Sequence, residues 1–431
     1  MEGSRSRLRR RSATAAGLYT SVALGLLGMV VAARELGKED FGLFTTVVFA
    51  AGLFESLLDL TVEESLTKFG FRYIAGEDWG RLRRLFVIAI RFKALGALLA
   101  LVALAVFAAV SDWVFGTSGL TGPMLAVAFL PLVQTQEDVA ATALLLRGRY
   151  DLRGGFLSLS MGLRLAGIAI GAHYGVLEAV LGMLVAQVVA TAAVAAAGLA
   201  AFRRFPAQPS RPLDEDRREI RSFVVQSSVA TGVLSLKTML APLLLGVVAG
   251  TTQVGLLRIA QAPQSGLTAA SAPVRLILLT EQTRDWEHGR EQTVLGGVWR
   301  YMRGAAALML VVVPVFFVLM SFLIRVVFGA QYLDAATAAR VILFAAALQF
   351  VFGWSKSLPV SIGKPKLRIW AHGLETAVLL PLVLVFGWEW GVTGAAVAIL
   401  VSTGAFVALW SVFILRLRGE VAARASAAPA A

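Results

Sequence analysis

Hydrophobic residues of this chain come in long continuous runs, separated by short polar stretches that are rich in arginine. Many runs approach or exceed the ~20 apolar residues that cross a bilayer's hydrocarbon layer as a helix. They lack the ~10-residue alternation that is typical of membrane β-barrels. Because lipid offers the backbone no hydrogen-bond partners, the pattern predicts an all-α polytopic membrane protein. The twelve predicted spans are 12–33, 41–69, 85–110, 122–146, 154–173, 176–202, 222–248, 252–274, 304–324, 335–355, 369–387 and 391–415.

A charged, proline-containing stretch, "RRFPAQPSRPLDEDRREIR", divides the predicted spans into two sets of six. It predicts a linker at 203–221 on the cytoplasmic side. The linker would join an N-terminal lobe, 1–202, to a C-terminal lobe, 222–416. The remaining residues, 417–431, are predicted to form a flexible cytoplasmic tail.

The two predicted lobes share short sequence matches in the same order. "LGKEDFGLF" resembles "AGTTQVGLL", "GRYDLR" resembles "GKPKLR", and "YGVLEAV" resembles "WGVTGAA". An even number of spans in each half predicts parallel repeats, as in transporters that bind substrate between two halves. The matches align Gly37 with Gly250, Gly42 with Gly255, Gly148 with Gly363, and Gly175 with Gly391.

Composition excludes several kinds of chemistry. The chain is 58% hydrophobic and has no cysteine, so disulfides and thiolate sites are impossible. Its three histidines are scattered, and its Gly-Lys pairs lack the spacing of a P-loop. We therefore expect no catalytic residues, no metal site, no cofactor and no enzymatic activity.

The formal net charge is +13, and the distribution of the basic residues along the chain explains this excess. Of the 40 Lys and Arg residues, thirty fall in alternate predicted loops counted from the N-terminus, and three fall in the other loops. Such asymmetry marks the cytoplasmic side. It predicts a multi-pass protein of the cytoplasmic (inner) membrane with both termini in the cytoplasm. No nucleic-acid partner is needed to explain the charge.

Four segments together resemble a known family: "AARELGKEDFGLFTTVVFAAGLFESLLDL", "LLLRGRYDLRGG", "VGLLRIAQAPQSGLTAASAPV" and "GVTGAAVAILVS". They are similar to the polysaccharide-exporter and lipid-linked-oligosaccharide flippase branch of the multidrug/oligosaccharidyl-lipid/polysaccharide (MOP) superfamily, which includes the MATE transporters. The resemblance implies two six-helix lobes around a central cavity, alternating access, and a polyprenyl-pyrophosphate-linked glycan as cargo. Many members have fourteen spans, whereas twelve are predicted here.

Basic residues inside predicted spans are candidates for binding an anionic cargo. A charge near the centre of a span costs about 2.5–3.5 kcal/mol, so it needs a counter-ion, a wet cavity or a route to the surface. Arg91 and Lys93 project ~200° apart around one helix, so both cannot face one cavity, and Lys93 is favoured. Lys68 and Arg340 lie near span ends and are interpreted as interface anchors. The cargo candidates are Arg164, Lys237, Lys93, Arg91 and Arg258.

Acidic and polar residues in the spans form a second candidate set. Glu55, Asp59 and Glu63 follow i, i+4, i+8 spacing and would form one stripe on a helix. The stripe could line a wet vestibule, bind a coupling cation or proton, or pair with other helices. Gln134, Glu137 and Asp138 would share a face that lines a cavity or packs between helices. Alternatively, the acids, with Glu375, form ion pairs with the cations.

These features favour a secondary transporter that flips a lipid-linked glycan across the membrane. One alternative is a cation-coupled multidrug exporter on the same fold. Another is a non-transporting scaffold of a polysaccharide synthesis complex. The expected partners are a lipid-linked glycan, membrane lipids, and a polysaccharide polymerase or glycosyltransferases.

Overall fold

The computed structural model describes residues 4–58, 62–214, 216–364 and 366–427, and these residues form sixteen α-helices linked by short turns. The helices of the first half begin with α1, which covers the first predicted span and most of the second. They are α1 (Ser4–Leu58), α2 (Val62–Ala75), α3 (Trp79–Phe115), α4 (Thr121–Val127), α5 (Leu130–Gln134), α6 (Glu137–Leu146), α7 (Tyr150–Ala172) and α8 (Val176–Phe202).

The second half repeats this plan with different interruptions. A π-helical turn, Leu236–Leu240, separates its first two helices, and short 3-10 turns flank α14. The helices are α9 (Asp216–Ser235), α10 (Ala241–Ala249), α11 (Thr251–Ala260), α12 (Ala262–Glu287), α13 (Glu291–Val327), α14 (Ala335–Val351), α15 (Leu358–Ser361) and α16 (Lys366–Ala427).

Seven helical stretches are long and apolar enough to cross a membrane by length and composition. Two of them, Ala16–Leu58 and Lys366–Val421, are long enough for two spans each. Gly37 in the first and Gly391 in the second leave helical geometry and divide them. Side chains such as Leu310, Val318 and Ile170 are largely exposed, as expected for lipid-facing positions. The fold is that of an all-α polytopic membrane protein.

Proline explains why some predicted spans are not single helices. The predicted span 122–146 is divided into α4, α5 and α6, and Pro131 stands at the start of α5. The span 252–274 is divided at Gln261, and Pro263 opens α12. Proline lacks an N–H and its ring clashes with the preceding turn, so it begins helices well and continues them poorly. The π-helical turn precedes Pro242 in the same way.

The predicted helix 41–69 is shared between two elements. α1 ends at Leu58 and α2 begins at Val62, and residues 59–61 lie outside the described residues. Asp59 of the predicted acidic stripe falls in that gap. Glu55 lies in the described part before this gap, on α1, and Glu63 lies in the part after it, on α2.

Two compact units are found in the chain. The first comprises Met1–Leu243 with Gly250–Gly255, and the second comprises Leu244–Ala249 with Leu256–Ala431. In the first unit, the predicted linker packs against the start of α3. The Arg211 N–H donates to the Gly80 carbonyl at 3.2 Å, and the rings of Trp79 and Phe205 are 5.7 Å apart. The predicted lobe boundaries at 202 and 222 stay a prediction.

The matched glycines have a common backbone role. Three of the four predicted pairs have positive φ at both members, a region that favours glycine. The values are 78° and 92° at Gly37 and Gly250, 69° and 71° at Gly148 and Gly363, and 147° and 56° at Gly175 and Gly391. The weak sequence matches therefore mark the same sharp turns in both repeats.

The fourth pair, Gly42 and Gly255, has a packing role instead. The two glycines touch each other within the first unit: a Cβ added at Gly255 would lie 3.0 Å from the Gly42 Cα. A Cβ at Gly42 would lie 2.6 Å from the Thr251 carbonyl oxygen. Only glycine permits this approach of two backbones.

Candidate functional site

Charged, amide and hydroxyl side chains from seven helices meet inside the first unit. We call this group the first polar cluster. It consists of Glu55 on α1, Glu63 on α2, Lys93 on α3, Gln134 on α5, Glu137 and Asp138 on α6, Arg164 on α7, and Gln187 and Thr191 on α8.

Lys93 is the buried cation of the first polar cluster. Its side chain is 3% exposed, and its Nζ lies 2.6 Å from Asp138 Oδ2 and 3.5 Å from Glu63 Oε2. Arg91, two residues earlier on α3, is exposed, so the two cations lie on different sides of the same helix. Lys93 thus joins α2, α3 and α6 through one ammonium group.

Beside this ion pair lies a small cavity that is partly open to solvent. Lys93, Asp138, Glu55 and Gln134 supply its polar lining, and small or apolar groups such as Ala97 supply the rest. The Gln134 amide nitrogen, oriented toward Glu55, donates to both carboxylate oxygens at 2.8 and 3.2 Å. The cavity is therefore lined by groups that bind water, protons or small cations.

A second part of the first polar cluster surrounds Glu137. The Gln187 amide donates to Glu137 Oε2 and contacts Thr191 Oγ1 at 3.1 Å. Arg164 lies within electrostatic range of both Glu55 and Glu137. An Arg164 Nη2–H donates to Met183 Sδ at 3.0 Å, so one of its N–H groups is bonded to a neutral sulfur atom. Arg164 consequently links the Glu137 side of the cluster to the cavity side.

The charge balance of the first polar cluster is acidic. Its four carboxylates, Glu55, Glu63, Glu137 and Asp138, face two cations, Lys93 and Arg164. In a low-dielectric interior, an uncompensated carboxylate attracts a proton or a cation. Among the described contacts, the cluster thus holds more carboxylates than cations, which favours a proton or a cation as a further occupant.

The other predicted cations lie elsewhere. Lys237 lies in the π-helical turn of the first unit and is half-buried. That turn packs against α1, where a Cβ added at Gly52 would meet the Met239 Sδ at 3.1 Å. Arg258, on α11, is half-buried in the second unit.

Glu375 belongs to a smaller group in the second unit, which we call the second polar cluster: Gln264, Gln349, His372, Glu375 and Thr403. Glu375 is 1% exposed and lies 3.3 Å from His372 Nδ1 and 3.4 Å from Gln349 Nε2. The Gln349 amide nitrogen also lies 3.3 Å from Thr403 Oγ1, and Gln349 Oε1 accepts from Gln264 at 3.1 Å. The His372 ring stacks on Phe406.

The sequence predicted Gln134 and most charged members of these clusters, and it did not predict their other neutral partners. Gln187, Thr191 and Gln349 lie in apolar spans, where single amides and hydroxyls give little signal. His372, one of the three scattered histidines, contacts a buried carboxylate, which the sequence did not predict. Among the described residues, no group of three His, Asp or Glu side chains is arranged to hold a metal ion.

Comparison with known proteins identifies the family of this chain. The family described as "Polysaccharide biosynthesis protein" matches residues 10–273, which is more than half of the chain. The chain belongs to this family. No protein with a curated description matches.

Solved structures show that this polysaccharide biosynthesis protein has the fold of the MOP superfamily. An inward-facing multidrug resistance MATE transporter is 14% identical, with a TM-score of 0.77 over 94% of this chain and 96% of that one. The lipid II flippase MurJ in an inward closed conformation is 13% identical, with a TM-score of 0.72 over 95% and 90%. A MOP transporter from Pyrococcus furiosus is 15% identical, with a TM-score of 0.62 over 96% and 95%.

The predicted family and fold class are confirmed by these matches. The solved structures that it matches are membrane transporters and a flippase, so the chain has the fold of MOP-type transporters. At identities near 14%, the structures establish the fold alone.

Proposed function

We propose that this protein flips a polyprenyl-pyrophosphate-linked oligosaccharide, a polysaccharide precursor, from the cytoplasmic to the outer leaflet by alternating access. The family match carries the proposal, because it joins polysaccharide biosynthesis to a transporter fold. The fold also occurs in a lipid II flippase. The arginine-rich loops and both termini face the cytoplasm in this proposal.

The energetics favour outward movement. The polyprenyl tail can remain in lipid while only the glycan and its two negative charges cross between the lobes. Moving one charge through 100 mV is worth ~2.3 kcal/mol, so two charges release about 4–5 kcal/mol across an interior-negative membrane. Coupling to a cation gradient is therefore not required for the cargo to move outward.

Within this function, the two polar regions of the first unit have different roles. Arg164 and Lys237 are the proposed cargo-contacting cations, because both are half-buried cations within predicted spans and can pair with the negative charge of a diphosphate. Lys93 is a positioning residue, which holds Glu63 and Asp138 at the cavity. The surplus of carboxylates would bind a proton or cation that biases the conformational cycle.

Complementation of a deletion strain tests this function. Loss of the gene should cause lipid-linked oligosaccharide to accumulate, and the wild-type gene should clear it. Arg164→Ala and Lys237→Ala should fail to clear it at normal expression, because they remove charges that match the diphosphate. Arg91→Ala, an exposed cation on α3, is the matched control and should restore clearance. Full rescue by both Arg164→Ala and Lys237→Ala would contradict the assigned roles and favour a scaffold.

The second candidate function is a cation-coupled multidrug exporter. The acidic balance of the first polar cluster favours it, since surplus carboxylates suit a cationic drug. The same deletion strain distinguishes the two functions. Hypersensitivity to cationic drugs without lipid-linked oligosaccharide accumulation would support the exporter and contradict the flippase.

A further inference from the structure

A carboxylate of α9 is held by two cations of α2 within the first unit. Arg72 donates to Glu219 through both guanidinium nitrogens, Nη1 to Oε2 at 2.8 Å and Nη2 to Oε1 at 3.0 Å. Lys68 Nζ donates to the same Oε1 at 3.1 Å. We call Lys68 and Arg72, with the rings of Phe69 and Phe223, the Glu219 seat.

Aromatic rings hold the two cations of the Glu219 seat in place. Lys68 Nζ lies 4.9 Å from the centre of the Phe69 ring and 4.6 Å from that of Phe223. The Arg72 guanidinium carbon lies 4.8 Å from the Phe69 ring centre. Phe69 itself is fully buried in an apolar cluster of the first unit. The cations are therefore presented on a fixed apolar base.

Neighbouring ion pairs balance the charge around the seat. Asp216 accepts a hydrogen bond from Tyr73 at 2.8 Å and lies 3.6 Å from Arg81. Arg81 also lies 3.5 Å from Asp78. Three cations (Lys68, Arg72 and Arg81) thus face three carboxylates (Asp78, Asp216 and Glu219). When Glu219 leaves, these three cations face two carboxylates, so one positive charge is uncompensated. The N–H groups of Lys68 and Arg72 that bound Glu219 can then donate to another anion.

We propose that the Glu219 seat binds the diphosphate of the lipid-linked cargo as it enters, and that Glu219 occupies the seat as an internal anion until the diphosphate displaces it. This site deepens the proposed function and rests on it. It is separate from the first polar cluster. Lys68 and Arg72 are distinct from Arg164 and Lys237, the cations proposed above to contact the cargo.

The chemistry of the seat matches a diphosphate. Arginine binds a carboxylate and a phosphate with the same pair of parallel hydrogen bonds, and a diphosphate brings more charge than a carboxylate. The side chains are accessible: Lys68, Arg72 and Glu219 are 42%, 45% and 46% exposed. Exposed ion pairs are weak, so a doubly charged ligand can replace Glu219.

The position of the seat suits a lipid head group. Arg72 lies in the last turn of α2, just beyond the predicted membrane span 41–69. A polyprenyl diphosphate keeps its tail in the bilayer and its charged group at the surface. Displacement of Glu219 would also remove one contact between α2 and α9, and α9 continues into the π-helical turn that carries Lys237. Docking at the seat would thereby be linked to a residue proposed to contact the cargo.

Pyrophosphate binding to the full-length protein tests the proposal. The protein is placed in nanodiscs of zwitterionic lipid, and binding of inorganic pyrophosphate is measured by calorimetry. Glu219→Gln should tighten binding about tenfold, because the internal competitor is removed and the free seat is populated more often. Adding Arg72→Gln or Lys68→Gln to Glu219→Gln should abolish the gain.

An exposed ion pair elsewhere supplies the matched control. Arg149 and Asp151, at the start of α7, are 3.2 Å apart and 39% and 37% exposed. Asp151→Asn should leave pyrophosphate affinity unchanged. A second arm compares farnesyl diphosphate with pyrophosphate and with farnesol. Tighter binding of farnesyl diphosphate than of either other compound supports a lipid head group.

Several results would overturn the proposal. One is equal affinity of the wild type and Glu219→Gln for pyrophosphate. Another is binding by neither, with both proteins monodisperse and equally heat-stable. Equal affinity for pyrophosphate and farnesyl diphosphate would overturn the assignment to a lipid. Each failure is separate from failure of the proposed function, which is read from lipid-linked oligosaccharide in the deletion strain.

Discussion

Lys93 and Lys68 belong to the same compact unit, and each is paired with carboxylates, but their surroundings differ sharply. The Lys93 side chain is 3% exposed and its Nζ lies 2.6 Å from Asp138, whereas Lys68 is 42% exposed and lies 3.1 Å from Glu219. A buried charge that loses its partner keeps its full desolvation penalty. An exposed one is solvated by water instead.

The difference assigns the two lysines different kinds of role. The Lys93 pair is too costly to break during each transport cycle, so it fixes α2, α3 and α6 around the cavity. The Lys68 and Arg72 contacts can be exchanged for another anion at low cost. The buried Lys93 pair is therefore structural and the exposed Lys68 and Arg72 pairs are releasable, although both join α2 to another helix.

Removing the buried cation should have the largest effect. Lys93→Met should lower the free energy of unfolding by about 1.5–3 kcal/mol, because the partly exposed Asp138 and Glu63 lose their contacts to the ammonium group. Thermal unfolding of the purified protein in detergent measures the loss. Lys93→Met combined with Asp138→Leu should recover part of it. A single-variant loss below about 1 kcal/mol would show that the pair is not structural.

Backbone contacts extend the comparison to glycine. Gly42 is buried against the Thr251 carbonyl, whereas Gly155 on α7 is exposed with open space around it. Gly42→Ala should destabilise the protein by about 1–3 kcal/mol through overpacking against backbone. Gly155→Ala should stabilise it by up to about 1 kcal/mol, since alanine is the better helix former. Changes of the same sign at both positions in thermal unfolding would refute the close approach of α1 and α11.

The smallest effect on stability is expected at the Glu219 seat. Arg72→Gln should leave the unfolding temperature indistinguishable from that of the Arg149→Gln control, because both arginines pair with exposed carboxylates. The transition is followed by thermal unfolding in the same detergent as for Lys93→Met. A loss as large as that of Lys93→Met would show that the seat is a structural pair, which a ligand could not displace.

The sequence predicted the fold well because its signals are physical requirements of a bilayer. Long apolar runs identified the spans, and the matched glycines marked turns that positive φ now explains. The interruptions at Pro131 and Pro263 were not predicted, because proline alone does not specify where a helix ends. Packing around each proline decides this, and packing is not visible in one sequence.

The candidate site could be predicted in part. Spacing placed Glu137 and Asp138 together on one helix face and separated Arg91 from Lys93. It could not predict which helices pack together, so the pairing of Lys93 with Asp138 stayed hidden. Lys68 was interpreted as an interface anchor, because its partner Glu219 lies 151 residues away in sequence.

Flipping in proteoliposomes tests the central claim most directly. The purified protein is reconstituted with a polyprenyl-pyrophosphate-linked oligosaccharide, and access of the glycan to an external glycosidase is followed over time. The account predicts that liposomes with the wild-type protein expose the whole glycan pool, whereas liposomes with Arg164→Ala expose only the half that starts outside. Equal exposure in empty liposomes and in liposomes with the wild-type protein would contradict the account.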